Sequence, residues 1–205
     1  PLYSSAASDV YKRQEYIQSL RDTDKKHPDK LKIIAQRGGQ EDMLSIDADI
    51  KICGGSRGGS KSFSSLMEVL KDIKNPDFHA TILRNEKDDL QSLVTDSYKL
   101  FSQFGTYNKS QNDMTWNFDN GGWLKFSYYA GAYQDFKTRF QGRQYAYVCI
   151  DEGTQCPYKK FKYLLTNNRN AAHIRNRFWI TCNPDPESWV RKFIDWWVTD
   201  EGYID

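Results

Sequence analysis

"KICGGSRGGSKSFSS", residues 51–65, decides the fold. It joins an apolar run, "DIKIC" (Asp49 to Cys53), to "SKSFSSLMEVLKDIK" (residues 60–74), whose Phe63, Leu66, Met67, Leu70 and Ile73 share one helical face. Between them lies "GGSRGGSKS", Gly54 to Ser62, a turn rich in glycine and serine. Successive backbone N–H groups of such a turn, with the positive end of a helix behind them, form a cradle for anions.

Against the pattern G-x-x-x-x-G-K-[ST], Gly55, Lys61 and Ser62 fit, while Ser60 stands where the last glycine belongs. In a working site Gly55, Ser56, Arg57, Gly58, Gly59 and Ser60 wrap the α- and β-phosphates of ATP. Lys61 reaches the β- and γ-phosphates, and the Ser62 hydroxyl binds Mg²⁺. Serine tolerates the last loop position provided its φ is negative there. The plainer alternative is a strand-to-helix turn with an N-cap serine.

Outward from this stretch, short apolar runs alternate with helical ones, the sign of strands joined by crossovers in a mainly parallel central sheet flanked by helices. "HATILR" (79–84) is a second strand, followed by a helix from about Glu86 to Phe104. "MTWNF", the turn "DNGG" and "WLKFSY" predict a hairpin, Gly121 and Gly122 supplying positive φ. "YAYVCIDE" and "RFWITCNP" are apolar strands of the kind covered on both faces.

In such a sheet ligands sit beyond the carboxyl ends of the strands. There "YAYVCIDE" presents Asp151, suited to ordering Mg²⁺, and Glu152, suited to taking a proton from the attacking water. The alternative is an exposed, helix-capping strand end. "TCNP" ends the next strand, and in additional-strand ATPases that strand lies between the other two. This brings Asn183 to the γ-phosphate or the water, although Asn-Pro also simply starts turns.

With 205 residues, 39% hydrophobic and 15% aromatic, the chain is expected to form one domain with a real core. No apolar run approaches the roughly 20 residues of a membrane span. Cys53, Cys149, Cys156 and Cys182 lack C-x-x-C pairing, and His27, His79 and His173 are scattered, so reduced core cysteines in a cytosolic setting are expected and zinc is not. "PLYSSAASDVYKRQ", residues 1–14, reads as translated cloning or adaptor sequence, and residues 15–32 as a charged helix end and linker.

Together "GGQEDMLSIDADIKICGGSRGGSKSF", "FQGRQYAYVCIDEGTQ" and "RFWITCNPDPESWVRKFIDWW" resemble the N-terminal ATPase domain of the large terminase subunit, the motor that packages DNA into tailed-phage capsids. The resemblance implies an additional-strand (ASCE, RecA-like) P-loop NTPase over residues 15–205. It makes "GGSRGGSKS" the Walker A loop, "YVCIDE" the Walker B strand and "TCN" the coupling motif, and makes Ser60 a family variant. It further implies an adenine-contacting Gln40, otherwise an ordinary loop residue, and an arginine finger acting on a neighbouring subunit, Arg139 or Arg143. Arg84, ending the second strand, contacts either phosphate or a surface carboxylate.

The implied partners are double-stranded DNA gripped without base reading, a capsid portal, a small terminase subunit and further copies in a ring. The implied setting is the host cytoplasm, for a virus-encoded protein. Lys137 to Arg177 carry nine Lys or Arg and two acids, a basic stretch interleaved with Tyr158, Phe161 and Tyr163 that suits a phosphate backbone or, more plainly, a solvated helix face. About twenty residues follow "TCNP", so no nuclease domain and no DNA cleavage are expected. Another nucleic-acid translocase, helicase-like, and a catalytically idle nucleotide-binding assembly module are the alternatives.

Overall fold

In the computed structural model, residues 33–55, 60–108, 110, 113–171 and 173–195 are described. They form a seven-stranded sheet with helices on both faces. In chain order the elements are α1 (Gly39–Ser45), β1 (Ile50–Cys53), α2 (Lys61–Val69), β2 (His79–Arg84), α3 (Leu90–Phe101), β3 (Gly105–Asn108), β4 (Thr115–Phe118), β5 (Trp123–Tyr128), α4 (Tyr133–Phe140), β6 (Tyr147–Ile150), α5 (Tyr158–Asn167), β7 (Arg177–Thr181) and α6 (Trp189–Ile194).

The strand order is β1-β7-β6-β2-β5-β4-β3. The first five of these run parallel, and β4 and β3 extend the sheet antiparallel. β7, last in sequence among the strands, therefore lies between β1 and β6, as the additional-strand arrangement requires. Every residue of β6 and β7 is buried, which is why both read as largely apolar runs. One face packs Leu66, Val69, Ile82, Cys149 and Trp179 beneath α2 and α3. The other packs Phe136, Val148, Ile150, Phe161 and Phe178 beneath α4 and α5.

Some boundaries differ from expectation. α2 stops at Val69, and the chain continues in tighter turns, Leu70 N–H bonding Met67 O at 3.0 Å. α3 begins four residues late, after tighter turns in which the Leu90 and Gln91 N–H groups bond Lys87 O and Asp88 O, each at 3.2 Å. In the hairpin only Gly121 takes positive φ, at 105°. Gly122 is needed for space instead, since a Cβ there meets Asn75 O at 3.0 Å and Phe78 O at 3.1 Å.

All four cysteines are buried, unpaired thiols. Burial pushes Cys53 up to about 11 and Cys156 to about 12, so they remain protonated and inert. Among the described residues there is no His, Cys or carboxylate cluster of metal-binding kind, and no helix is long and apolar enough to cross a membrane.

Candidate active site

The carboxyl ends of β1, β7, β6 and β2 lie side by side, so the residues following them converge. β1 leads into Gly54 and Gly55, the latter at φ 141°. Ser56, Arg57, Gly58 and Gly59 lie outside the described residues. Ser60 then enters α2 at φ 55° and ψ 16°, in the left-handed region. The condition of negative φ is therefore not met: serine takes the conformation that glycine normally supplies here. Its side chain makes no cap bond, so the N-cap alternative fails as well.

Lys61 Nζ donates to Gly55 O at 2.9 Å and to Asn183 Oδ1 at 3.4 Å. Loop and coupling motif thus meet at the lysine. Ser62 Oγ donates towards Asp151, 2.9 Å from Oδ1 and 3.0 Å from Oδ2. Asp151 has no solvent exposure. An unpaired carboxylate buried in this way is costly, and its oxygens are satisfied by Ser62, by the Thr181 hydroxyl on Oδ1, and by Arg84 Nε on Oδ2 at 2.7 Å. One carboxylate and one hydroxyl are hard oxygen donors, of the kind Mg²⁺ takes together with phosphate oxygens and water.

Glu152 also sits in the left-handed region, at φ 59° and ψ 46°. Its N–H donates to Thr181 Oγ1 at 3.2 Å, and its carbonyl accepts Tyr129 OH at 3.1 Å. The carboxylate accepts Gln155 Nε2 at 3.0 Å. Backbone strain of this kind persists only where surrounding contacts impose it. Here Thr181 and Tyr129 impose it, and Lys160 holds Tyr129 in turn by donating to the carbonyls of Tyr129 at 2.5 Å and of Gly131 at 2.7 Å. Tyr129, Gln155 and Lys160 were missed in the sequence, where each is one more aromatic or polar residue in an unremarkable segment.

Lys61, Ser62, Asp151, Glu152, Thr181 and Asn183 line a cleft of about 650 Å³ that also includes Gln36 and Gln40. Gln40 is buried, and its Oε1 accepts the Gln36 N–H at 2.9 Å. A second cavity, of about 500 Å³, lies along Ile50 and Ile52 beside Val190 and Ile194 of α6. Its apolar walls do not suit a triphosphate.

A family profile, "Terminase large subunit, T4likevirus-type, N-terminal", matches residues 52–203. The chain belongs to the large terminase subunit family. The terminase fold is borne out by solved structures. The large terminase of a thermophilic bacteriophage is 17% identical with a TM-score of 0.61, over 79% of this chain and 42% of that one. The large terminase ATPase domain of Thermus phage P74-26 is 13% identical with a TM-score of 0.59, over 83% and 73%. The HK97 bacteriophage large terminase is 12% identical with a TM-score of 0.60, over 82% and 37%. The chain thus spans about two fifths of the first of these terminases. No curated protein matches the sequence.

The arginines and the basic stretch singled out in the sequence have these positions. Neither Arg139 nor Arg143 lines its own chain's cleft. Arg139 donates to Tyr128 O at 2.6 Å with its guanidinium 3.8 Å from the Tyr128 ring, while Arg143 is exposed and bonds Arg139 O through Nε at 2.9 Å. The basic stretch is also smaller than its composition implies. Lys160 is buried on carbonyls, Arg177 is buried beside Glu68 and Asp72, and Arg175 pairs with Asp47 and Asp49. Phe161 belongs to the core. Lys137, Arg143, Lys159, Lys162 and Arg169 remain exposed, around α4 and α5.

Proposed function

We propose that this chain is the ATP-hydrolysing motor domain of a viral large terminase, which drives double-stranded DNA into a procapsid. The observation that carries the reading is the meeting of Ser62 with Asp151 and of Lys61 with Asn183 in one cleft. Phosphate loop, acidic strand end and coupling motif are thereby joined as nucleotide hydrolysis needs. The thermophilic-phage large terminase has been solved in complex with ADP and with ATP-γ-S, which supports nucleotide as the ligand here.

In this reading the loop from Gly55 to Ser60, including Ser56, Arg57, Gly58 and Gly59, cradles the phosphates. Lys61 turns from Gly55 O to the β- and γ-phosphates. Mg²⁺, held by Ser62 and Asp151, supplies charge neutralisation for the triphosphate. Glu152, clamped at its backbone, releases Gln155 and takes the proton of the attacking water. Asn183 senses the γ-phosphate, and the Gln40 amide group recognises adenine. The exposed cations around α4 and α5 grip the DNA backbone electrostatically, without reading bases. A portal, a small terminase subunit, a ring of copies and the host cytoplasm complete the proposed setting.

A second reading, a nucleotide-binding module without turnover, is favoured by Ser60 in the left-handed region and by Gln155 occupying the Glu152 carboxylate. Nucleotide binding and single-turnover hydrolysis separate the two. Lys61→Ala is expected to weaken ATP binding, and Glu152→Gln to keep Mg²⁺-ATP bound while stopping hydrolysis. Unchanged affinity in the first variant rejects the phosphate loop. A parent protein that binds ATP without turnover supports the idle module.

A further inference from the structure

Arg84 ends β2 and Asp151 follows β6, and the preceding residues Leu83 and Ile150 are paired neighbours in the sheet. The guanidinium therefore reaches the carboxylate across one strand spacing, Nε to Oδ2 at 2.7 Å. Its other nitrogens are also engaged. Nη1 donates to Asp89 O at 2.7 Å and to Ser92 Oγ at 2.9 Å, while Nη2 stands 3.5 Å from Ser62 Oγ. One planar cation thus touches both Ser62 and Asp151 and ties them to the start of α3. The side chain retains 15% exposure against none for Asp151, so the arginine has a way out towards solvent and the carboxylate has none.

We propose that Arg84 and a divalent metal are alternative partners of Asp151, so that the arginine excludes free metal and yields only to metal arriving with a triphosphate. The inference rests on the reading of Ser62 and Asp151 as the metal position. A monovalent guanidinium on Oδ2 satisfies the buried charge, and a second cation beside it meets like-charge repulsion at contact distance. Free Mg²⁺ brings no compensating anion. Mg²⁺ carried by a triphosphate does, because the phosphate oxygens offer the displaced guanidinium a new acceptor and repay its lost bond to Asp151. When Arg84 turns, its bonds to Asp89 and Ser92 strain or break, and nucleotide loading is passed to α3 as a mechanical signal.

The test is metal binding without nucleotide, with Mn²⁺ as the probe and electron paramagnetic resonance as the readout. Arg84→Gln keeps a hydrogen-bonding side chain but removes the charge, and is expected to bind Mn²⁺ about tenfold or more tighter than the parent. Arg84→Lys, which keeps the charge, is expected to stay near the parent. Because the uncharged variant is also the less stable one, its melting temperature is read with and without Mg²⁺, and Mg²⁺ alone should raise it for Arg84→Gln but not for the parent. Mn²⁺ binding in Arg84→Gln that is equal to or weaker than the parent's overturns the proposal and makes Arg84 a fixed support of Asp151. Tight Mn²⁺ binding that survives in the Arg84→Gln/Asp151→Asn double variant overturns the metal position itself, and the proposal with it.

Discussion

The Glu152 N–H donates to Thr181 Oγ1 at 3.2 Å, while the same hydroxyl donates its proton to Asp151 Oδ1. One side chain of the coupling strand therefore orients both adjacent carboxylate residues of the neighbouring strand. Thr181→Val keeps the shape and removes both bonds. A lost buried hydrogen bond costs about 1–3 kcal/mol, so kcat is expected to fall roughly ten- to hundredfold. ATP affinity should stay near the parent value, because Lys61 and the loop are untouched. Thr181→Ser should recover most of the rate; kcat unchanged in Thr181→Val removes this role.

Ser60 lies at φ 55°. A non-glycine residue in the left-handed region is strained by about 1–2 kcal/mol, so Ser60→Gly is expected to raise the melting temperature by about 2–4 °C per kcal/mol relieved. Ser60→Val, branched at Cβ, should lower it. Calorimetry of the two variants decides, and a Ser60→Gly protein no more stable than the parent would show the position to be relaxed.

Glu68, fully buried, is approached by Lys51 at 3.4 Å, by Lys71 at 2.9 Å and by Arg177 Nε at 2.9 Å, the last close enough to pair but off the hydrogen-bond axis. Glu68→Gln takes the anion from Lys51 and Lys71 and leaves Arg177 with Asp72 alone, and is expected to cost about 3–5 kcal/mol. Lys51→Met, in contrast, should be neutral or stabilising, since Glu68 keeps two cations. Burial lowers Lys51 from 10.5 to about 8 against the pull of Glu68. Between these values the unfolded chain holds the proton and the folded chain does not, so this group's contribution to stability rises with pH from about 8 to 10.5. Denaturant titrations across that window should show the rise in the parent and not in Lys51→Met.

Gly153 has no room for a side chain, since a Cβ would come within 2.3 Å of Ile180 Cγ2. Gly153→Ala must push the turn after Glu152 away from β7 and misplace the carboxylate. Turnover is expected to drop with ATP binding retained, and Ile180→Ala in the same chain should restore part of it. Two independent, additive losses would reject this steric coupling.

Arg143 is exposed and gives up one backbone bond to reach outward, whereas Arg139 would also have to leave the Tyr128 ring. In the proposed ring, Arg143 is therefore the better candidate for a finger acting on a neighbouring subunit, an interaction worth about 10³ to 10⁵ in rate. Activity per subunit should climb with protein concentration, and mixing Arg143→Ala with Glu152→Gln subunits should recover activity that neither has alone. A flat concentration profile with no recovery would place the whole site within one chain.

The parts of this molecule legible in the sequence are those with strong local chemistry. β6 and β7 announce themselves because burial on both faces leaves mostly apolar residues, Phe178 to Ile180 in β7 between a buried Arg177 and a buried Thr181, and the loop because glycine and lysine spacing is specific. α4, "YQDFKTRF", was not foreseen, since it buries only Phe136 and Phe140 and carries too weak a period. β3 is a four-residue edge strand of alternating exposure, allowed by Gly105, where a Cβ would strike Asn117 O at 2.2 Å. Within the site, Lys61, Ser62, Asp151 and Asn183 follow from motif order. The partner of Arg84 does not, because it lies 67 residues away and is brought near only by the pairing of β2 with β6.

Among the described residues β1 pairs with no strand but β7, and β7 is the last of their strands in the sequence. During synthesis β1 thus leaves the ribosome well before its partner, and more than a hundred residues separate Cys53 from Arg177, where β7 begins to fill the place between β1 and β6. Such long-range closure is slow compared with local helix formation. The cleft is consequently a reporter of finished folding. Until Thr181 and Asn183 arrive with β7, Lys61 lacks its bond to Asn183 and the acidic pair lacks both of its bonds to Thr181.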